Sequence, residues 1–177
     1  MQSPPTPAAA AVTLRPPAPG DIGWIVARHG QLYAAEFGWD LGFEALVATI
    51  AGRLAQRLDP AREACWIAER GGERLGCVCL VQARDEGSDA PEAGVAQLRL
   101  LLVEPSARGL GLGRRLVRHC SDFARRADYR RIRLWTNSLL LAARGIYAAE
   151  GYILVGSESH HSFGQDLVGE IWELDLQ

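Results

Sequence analysis

Val103–Arg114 reads VEPSARGLGLGR, and this stretch decides the fold class. It carries an apolar strand, Val95–Val103, through a turn with Gly109, Gly111 and Gly113 into a segment whose apolar residues recur at helical spacing. Glycine lets a backbone approach a ligand closely. The first N–H groups of a helix have no partner within it and lie at the positive end of its dipole. The stretch therefore predicts a cradle for a phosphate group.

The spacing of the glycines excludes two common phosphate-binding motifs. A P-loop needs Lys and then Ser or Thr after its last glycine, whereas Arg114 and Arg115 follow Gly113. The dinucleotide fingerprint G-x-G-x-x-G would need its third glycine at Arg114. What remains is R-x-x-G-x-G, formed by Arg108, Gly111 and Gly113. A tight turn that binds nothing is the alternative interpretation of these residues.

Length and composition indicate one globular domain without a charge bias. The chain has 177 residues, of which 48% are hydrophobic, and a formal net charge of −2, which argues against nucleic acid as the main partner. No apolar run is long enough for a membrane span. Met1–Ala11 lacks the pattern of a signal peptide, so we expect residues 1–11 to form a disordered lead-in, 12–177 to form a single domain, and the location to be cytoplasmic.

Cysteine and histidine spacing predicts no metal site. None of the cysteines forms a C-x-x-C pair, and we expect buried, reduced thiols at Cys65, Cys77, Cys79 and Cys120. Cys77 and Cys79 should face the same side of a strand. His160 and His161 are adjacent on an extended segment, so they should point to opposite faces and make a poor pair of ligands.

Periodicity and capping residues predict the order β-α-α-β-β-β-α-β-α-β-β. The predicted elements are a strand Val12–Arg15, a helix capped by Asp21 and ending near Gly38, a helix capped by Asp40 and stopped at Asp59, a hairpin of Cys65–Glu69 and Arg74–Gln82, a loop Asp85–Gly94, the strand Val95–Val103, a helix from Leu112, a strand Ile132–Thr136, a helix Leu139–Glu150, and strands Gly151–Val155 and Val168–Leu174. This order indicates an α/β fold, a mixed central sheet with helices on both faces.

The turn and the order of elements together resemble those of a known family. R-x-x-G-x-G, preceded by V-x-P, resembles the coenzyme A-binding motif of the GNAT superfamily of acyl-CoA N-acyltransferases, the GCN5-related N-acetyltransferases. The order of elements is similar to that of the GNAT fold from Val12 to the C-terminus. Four short pieces look like the acetyltransferase half of bacterial MarR–GNAT fusion proteins: Gly20–Trp24, Glu36–Asp40, Leu134–Asn137 and His160–Gly164. No winged-helix segment precedes Val12, so we expect no binding of nucleic acid by this chain alone.

The resemblance implies acetyl-CoA as cosubstrate and assigns residues to it. The main chain of Leu101, Leu102 and Val103 should pair with the amides of the pantetheine arm. The pyrophosphate should be held by Arg108, Gly109, Leu110, Gly111, Leu112, Gly113 and Arg114. Asn137 is the other expected cofactor contact. Tyr147 stands where GNAT enzymes carry a general-acid tyrosine, with packing on the sheet as the alternative role.

The general base is not assigned by the resemblance. Several GNAT enzymes carry a glutamate on the strand before the turn, and the corresponding place falls on Gln97, whose neutral amide accepts no proton. Either a water relays the proton, or the amine arrives neutral. Glu36 and His160 are candidates by neighbourhood, with surface or packing roles as alternatives.

The acceptor pocket should be framed by Tyr33–Asp40 and Ser157–Gly164. Glu36 and Asp40 beside aromatic side chains would suit a cationic amine, either a small molecule or a lysine-containing acceptor.

The function that the resemblance implies is an N-acetyltransferase in which a primary amine attacks acetyl-CoA directly. A homodimer is compatible with it. A non-catalytic sensor of acetyl-CoA or CoA is the alternative, which Gln97 favours, and a scaffold that binds no nucleotide is a third.

Overall fold

Seven strands form one mixed sheet in the predicted order of elements. The computed structural model describes residues 11–84 and 90–177. Its elements are β1 (Thr13–Arg15), α1 (Asp21–Phe37), α2 (Leu41–Arg57), β2 (Ala64–Arg70), β3 (Glu73–Arg84), β4 (Pro91–Val103), a 3₁₀ turn (Pro105–Ala107), α3 (Leu112–Arg126), β5 (Arg131–Asn137), α4 (Leu141–Ala149), β6 (Ile153–Ser162) and β7 (Gln165–Asp175). The strands lie in the order β1-β2-β3-β4-β5-β7-β6, and β4 and β5 are parallel. The predicted α/β order is confirmed.

Helices cover both faces of the sheet, as predicted. Neighbouring strand residues alternate between two apolar clusters: Ile67 packs with α1 and α2, and Ala68 packs with α3 and α4. Cys77 and Cys79 lie in the same cluster, and the four cysteines are buried and free, with 3.0 Å between the sulfurs of Cys65 and Cys79. The strands of the sheet centre are therefore buried from both sides.

The first helix begins differently from the prediction. Gly20, at φ +95°, is the N-cap, and Asp21 is the first residue of α1. Its buried carboxylate accepts hydrogen bonds from Arg15, Arg74 and the N–H of Ala18, each at 2.6 Å. The hydrogen bond from Arg15 holds the pKa of Asp21 far below its usual range. Asp21 therefore ties α1 to β1 and β3, and the prediction that it caps the helix was wrong.

Several other element boundaries also differ from the predictions. Asp40 caps α2 as predicted and accepts from the N–H of Gly42 at 2.8 Å, but β4 begins at Pro91, within the predicted loop. The two late strands, β6 and β7, are longer than predicted. β6 is the exposed outer strand of the sheet, and its residues show no alternation of apolar and polar types, so its sequence gives little indication of a strand. Residues 1–10 of the predicted lead-in and 85–89 of the predicted loop lie outside the described residues.

Neither a membrane-crossing helix nor a metal cluster is present in the described part of the chain. No helix there combines the length and apolar content that crossing a bilayer needs. Within 11–84 and 90–177, no group of three or more His, Cys, Asp or Glu side chains could hold a metal ion.

Candidate active site

The turn between β4 and α3 presents backbone N–H groups to open space. Gly109 and Gly111 have φ of +76° and +74°, and Gly111 is the N-cap of α3. A Cβ at Gly111 would meet no heavy atom within 4 Å, so the space before the helix is open. Glycine is favoured at this position because the backbone is left-handed. Gly113 has another role: a Cβ there would lie 2.7 Å from Cδ1 of Ile146, so the glycine lets α3 approach α4.

The strand before the turn separates from its parallel neighbour. β4 pairs with β5 from Val95 to Leu98, whereas β5 stays paired with β7 as far as Asn137. A bulge at Leu100, with φ +55°, shifts the register of β4 against β3. The main chain of residues 101–103 therefore borders a gap in the sheet. An extended ligand with amide groups can pair with a strand edge of this kind.

A groove of about 590 Å³ joins the turn to this gap. It is lined by nine of the residues predicted to bind the cofactor: Leu101, Leu102, Val103, Arg108, Gly109, Gly111, Leu112, Gly113 and Arg114. Leu110 is exposed on the turn. Asn137 does not line the groove but a second cavity.

The arginine side chains of the turn are already engaged with carboxylates. Arg108 donates to Glu36 at 2.7 Å, and Arg114 pairs with Glu150, which also accepts from Arg118 at 2.8 Å. The main-chain N–H groups at the start of α3 are consequently the donors that face the groove without a helical partner. The helix dipole adds to their attraction for an anion.

A second space, the inner cavity, adjoins the groove and has a volume of about 120 Å³. Both are lined by Tyr33, Leu101, Leu140 and Ala143. Tyr147 of α4 also lines the inner cavity, although it packs with the cluster on the opposite face of the sheet from α1. The gap between β4 and β5 therefore lets side chains from both faces meet.

Tyr147 is a protonated phenol at this junction. Its side chain is buried, and burial raises its pKa far above the usual value near 10. Tyr33, also lining the junction, has its pKa raised to about 12 by burial. Both hydroxyls keep their protons at neutral pH, so each can act as a hydrogen-bond or proton donor.

The model of the acetyltransferase (GNAT) family matches residues 27–152, which is more than two thirds of the chain. This chain belongs to the GNAT acetyltransferase family. The matched range includes the turn, the gap in the sheet and Tyr147. The narrower resemblance to MarR–GNAT fusion proteins stays a prediction.

Curated relatives of this GNAT chain include proteins named N-acetyltransferase and N-acetylaspartate synthetase, and they match it over part of their length. N-acetyltransferase 8F1 from Rattus norvegicus is 33% identical over 51% of this chain and 40% of its own length. N-acetylaspartate synthetase from Xenopus tropicalis is 32% identical over 54% of this chain and 33% of its own length. The chain thus spans less than half the length of either relative.

Solved structures share the GNAT fold at low sequence identity. yncA from Salmonella typhimurium, solved with its cofactor acetyl-CoA, has a TM-score of 0.73 at 18% identity and covers 95% of both chains. An N-acetyltransferase from Staphylococcus aureus Mu50 has a TM-score of 0.76 at 18% identity, covering 95% of this chain and all of the other. These likenesses show the fold.

The two segments expected to frame the acceptor pocket contribute unequally. Tyr33 and Trp39 of the first segment line the inner cavity, whereas Phe163 of the second lies behind it, packed on Trp39 with ring centroids 4.9 Å apart. Glu36 is held by Arg108 beside the groove, and Asp40 caps α2. Neither carboxylate lines the inner cavity, so the interpretation that they would receive a cationic amine is not supported by their positions.

His160, the other candidate base, lies behind the cavity wall. Its Nε2 is 3.3 Å from Oδ1 of Asn137, and its Nδ1 is 2.9 Å from Oγ of Ser162. Asn137 is buried and lines the inner cavity, and its Nδ2 has no hydrogen-bond partner within the described residues. His160 therefore positions Asn137 and does not itself line the cavity.

His29 is a cavity residue that the sequence analysis missed. It is buried on α1, and its Nδ1–H donates to the carbonyl oxygen of Ile25 at 2.8 Å. Burial lowers its pKa to about 4, so the ring is neutral at pH 7. Its Nε2 is then an acceptor, and it has no partner among the residues described. The spacing of four from Ile25, on the buried face of α1, is the signal that could have identified it.

Arg99 was missed as well. It lines the inner cavity from β4, and its Nη2 donates to Oε1 of Gln97 at 3.0 Å. Gln97 itself does not line the cavity. The residue at the place of the usual glutamate therefore acts here as a neutral partner of an arginine.

Proposed function

We propose that this GNAT protein transfers the acetyl group of acetyl-CoA to a primary amine of a small-molecule or lysine-containing acceptor. The observation that carries the proposal is the separation of β4 from β5 after Leu98, which joins the groove to the inner cavity beside Tyr147. A thioester in the groove would then meet an amine in the cavity at the phenol. The single sheet from Thr13 to Asp175 supports our proposal that residues 12–177 form one domain.

The groove fits acetyl-CoA by its open backbone groups. The N–H groups of the turn, from Arg108 to Arg114, would hold the diphosphate, and the main chain of Leu101–Val103 would pair with the amides of the pantetheine arm. The bound thioester supplies an activated acetyl group. Asn137 would reach the acetyl end and not the length of the groove, because it lines the inner cavity.

The transfer requires one proton to leave nitrogen and one to reach sulfur. The neutral amine forms a bond to the carbonyl carbon, the carbon–sulfur bond breaks, and the sulfur takes the phenolic proton of Tyr147. The proton lost by the nitrogen restores the phenol, so that the products are an amide and a thiol. Nε2 of His29 can accept a hydrogen bond from the amine and so orient it, whereas Gln97 offers no basic group. Since the amine must be neutral, turnover should rise with pH towards the pKa of the amine.

A homodimer and a cytoplasmic location stay predictions. Exposed apolar side chains on the outer strand support the former: Ile153, Leu154 and Val155 are 68%, 44% and 55% exposed.

Release of thiol from acetyl-CoA in the presence of a panel of amines, with mass detection of the acetylated product, tests the proposed activity. A protein that binds CoA and releases no thiol with any amine would be a sensor. A protein whose melting temperature does not respond to CoA would be a scaffold. Either result would overturn the proposal.

Gly111→Val tests the groove directly. Valine is strained at φ +74°, so the N–H groups of the turn should leave their positions. Saturation to 100 times Kd stabilises the wild type by about 2.7 kcal/mol, which raises the melting temperature by about 5 to 10 °C. We expect this shift to vanish in Gly111→Val and to persist in Leu110→Val, the matched change at the exposed neighbour. An undiminished shift in Gly111→Val would refute the assignment of the groove.

A further inference from the structure

Arg99 is a partly buried cation without an acidic partner. Its hydrogen bond goes to the neutral amide of Gln97, and no Asp or Glu in the ranges 11–84 and 90–177 forms an ion pair with it. Other partly buried arginines are neutralised: Arg28 pairs with Glu104 at 2.6 Å, and Arg144 with Glu170 at 2.9 Å. A charge removed from water without a counter-charge costs stability. The guanidinium of Arg99 is therefore available to bind an anionic ligand.

The electrostatics of the inner cavity favour an anionic ligand. Arg99 is the charged residue among those that line it, because His29 is neutral and the lining includes no carboxylate within the described part of the chain. Burial and the positive charge of Arg53 on α2 lower the pKa of Arg99 from its ordinary value. The surroundings of Arg99 therefore add to the positive potential of the inner cavity and do not neutralise the charge of the guanidinium. An acceptor whose only charge is positive would be repelled here.

Unpartnered polar atoms on the cavity residues complement an amino acid. Nε1 of Trp39 and Nδ2 of Asn137 are buried donors without a partner among the described residues, and both side chains belong to the lining. A carboxylate accepts several hydrogen bonds at once, so it could satisfy these donors together with the guanidinium of Arg99. Nε2 of His29 is the buried acceptor, and an amine can donate to it.

The size of the cavity limits the ligand to a small molecule or to one end of a larger one. Its volume of about 120 Å³ is well below the roughly 300–1,000 Å³ of pockets for drug-sized ligands. A carboxylate and an amine held on one small carbon skeleton would fill this space with both groups engaged.

We propose that the acceptor amine carries a carboxylate, as an amino acid or an amino-acid conjugate does, and that Arg99 binds this carboxylate. The proposal rests on the proposed acetyltransferase function and names its substrate class. It also assigns a role to Gln97: a neutral amide orients the guanidinium and leaves its charge available, whereas a glutamate at that place would neutralise it.

The first test compares the free amino acids with their α-carboxamides as acceptors, with wild-type protein and saturating acetyl-CoA. We expect the acids to be acetylated with kcat/KM at least about tenfold above that of the amides, since a charge-assisted bidentate contact is lost in the amide. If amides and simple alkylamines were acetylated as well as the acids, the substrate class would be wrong while the acetyltransferase function stood. Absence of thiol release with every amine would instead remove the function.

Two variants test the residue. Gln97→Glu is close to isosteric and should form an ion pair with Arg99, and Arg99→Gln removes the charge. Each should raise KM for the acids by about 10- to 100-fold, should leave KM for acetyl-CoA unchanged, and should reduce the preference for acids over amides. Arg126→Gln, at an exposed position of α3 on the other face of the sheet, is the matched loss of charge and should keep the preference. A preference unaltered in Gln97→Glu would overturn the assignment even if Arg99→Gln failed to fold.

Binding provides a readout that does not depend on turnover. In the presence of CoA, free amino acids should raise the melting temperature of the wild type and of Arg126→Gln, and not that of Gln97→Glu. Failure of all the amino acids to stabilise the CoA complex would contradict the proposal.

Discussion

The groove and the inner cavity meet at Tyr33, Leu101, Leu140 and Ala143, yet most of the residues that line one do not line the other. The groove lies between the end of β4, the glycine-rich turn and the start of α3 on one side, and side chains of α1 and of residues 139–146 on the other. The inner cavity is formed by side chains from α1, α2, β4, β5 and α4. In the proposed complex, main-chain groups of the groove hold the diphosphate and the pantetheine amides. The cavity sets the identity of its ligand by the side chains that line it.

This difference teaches where specificity resides. A cosubstrate held by backbone groups tolerates most substitutions nearby, because every residue other than proline carries the same N–H and C=O groups. A cavity lined by one arginine, one neutral histidine and unpartnered donors responds to each substitution. We therefore expect side-chain changes in the cavity to have large effects on the acceptor, and those along Leu101–Val103 to have small effects on the binding of acetyl-CoA.

The pH dependence of the free energy of unfolding should show whether water reaches the ring of His29 in the inner cavity. His29 has a folded-state pKa of about 4, below the ordinary 6.5. The stability that comes from burying the neutral ring is therefore complete above pH 6.5 and is lost as the pH falls towards 4. Between pH 7 and pH 4 the free energy of unfolding should fall by about 3 kcal/mol more in the wild type than in His29→Gln, with about 2 kcal/mol of this reached by pH 5. Urea unfolding at each pH measures the difference.

His161→Gln is the control for this measurement, since His161 is exposed on β6. Between pH 7 and pH 4, this variant, like the wild type, should lose more stability than His29→Gln does. Equal pH dependence of the wild type and His29→Gln would show that water reaches the ring in the cavity.

Tyr147→Phe should separate catalysis from binding at the junction. Removing the phenolic proton should lower kcat about a hundredfold, at the low end of the range for general acids, because a thiol is already a fair leaving group. The KM for acetyl-CoA should change little, since the hydroxyl lines the cavity and not the groove. Steady-state kinetics with the best amine of the panel measures both values.

Tyr152→Phe is the matched control. Its ring lies 5.7 Å from that of Tyr147, and its hydroxyl is also buried, but it lines neither the groove nor the cavity. It should keep the turnover of the wild type. Wild-type turnover in Tyr147→Phe would leave that residue with a packing role alone.

Leu101→Val should have the smallest effect. The change keeps the main chain that is proposed to pair with the pantetheine arm, and a β-branched residue suits a strand. We expect Kd for acetyl-CoA to change by less than about threefold, well under the loss of one hydrogen bond to a charged group. Calorimetric titration measures it. A tenfold loss would mean that side chains and not the backbone hold the arm.

Much of the fold could be predicted because its signals are local. The apolar spacing after Gly111 predicts α3, Asp40 predicts the start of α2, and the apolar run before Val103 predicts a buried strand. Two signals misled. Asp21 stands where a cap is common, but two arginines distant in sequence recruit its carboxylate. The polar residues of β6 hide a strand because its position at the edge of the sheet leaves them in solvent.

In the candidate site, too, the residues with local sequence signals were predicted, and those brought together only by the fold were missed. The groove residues were predicted as a set because they are consecutive or nearly so, whereas their role as cofactor contacts stays a prediction. His29 and Arg99 were missed because they are 70 positions apart and meet only where α1 packs over β4. Glu36 and Asp40 illustrate the converse: they are close in sequence to residues that line the cavity, but a salt bridge and a helix cap engage their carboxylates, and their role towards an amine stays a prediction.

The sequence by itself determined the order of elements, the glycine-rich turn and the family, since all three depend on short-range patterns of glycine, apolar residues and caps. Only the tertiary structure decided what the cavity can recognise. The gap between β4 and β5 brings together side chains from five elements. Burial then makes His29 neutral, and none of the described residues supplies a counter-charge for Arg99. Charge and protonation in a cavity depend on what surrounds each group in space, and that is set by packing rather than by neighbours along the chain.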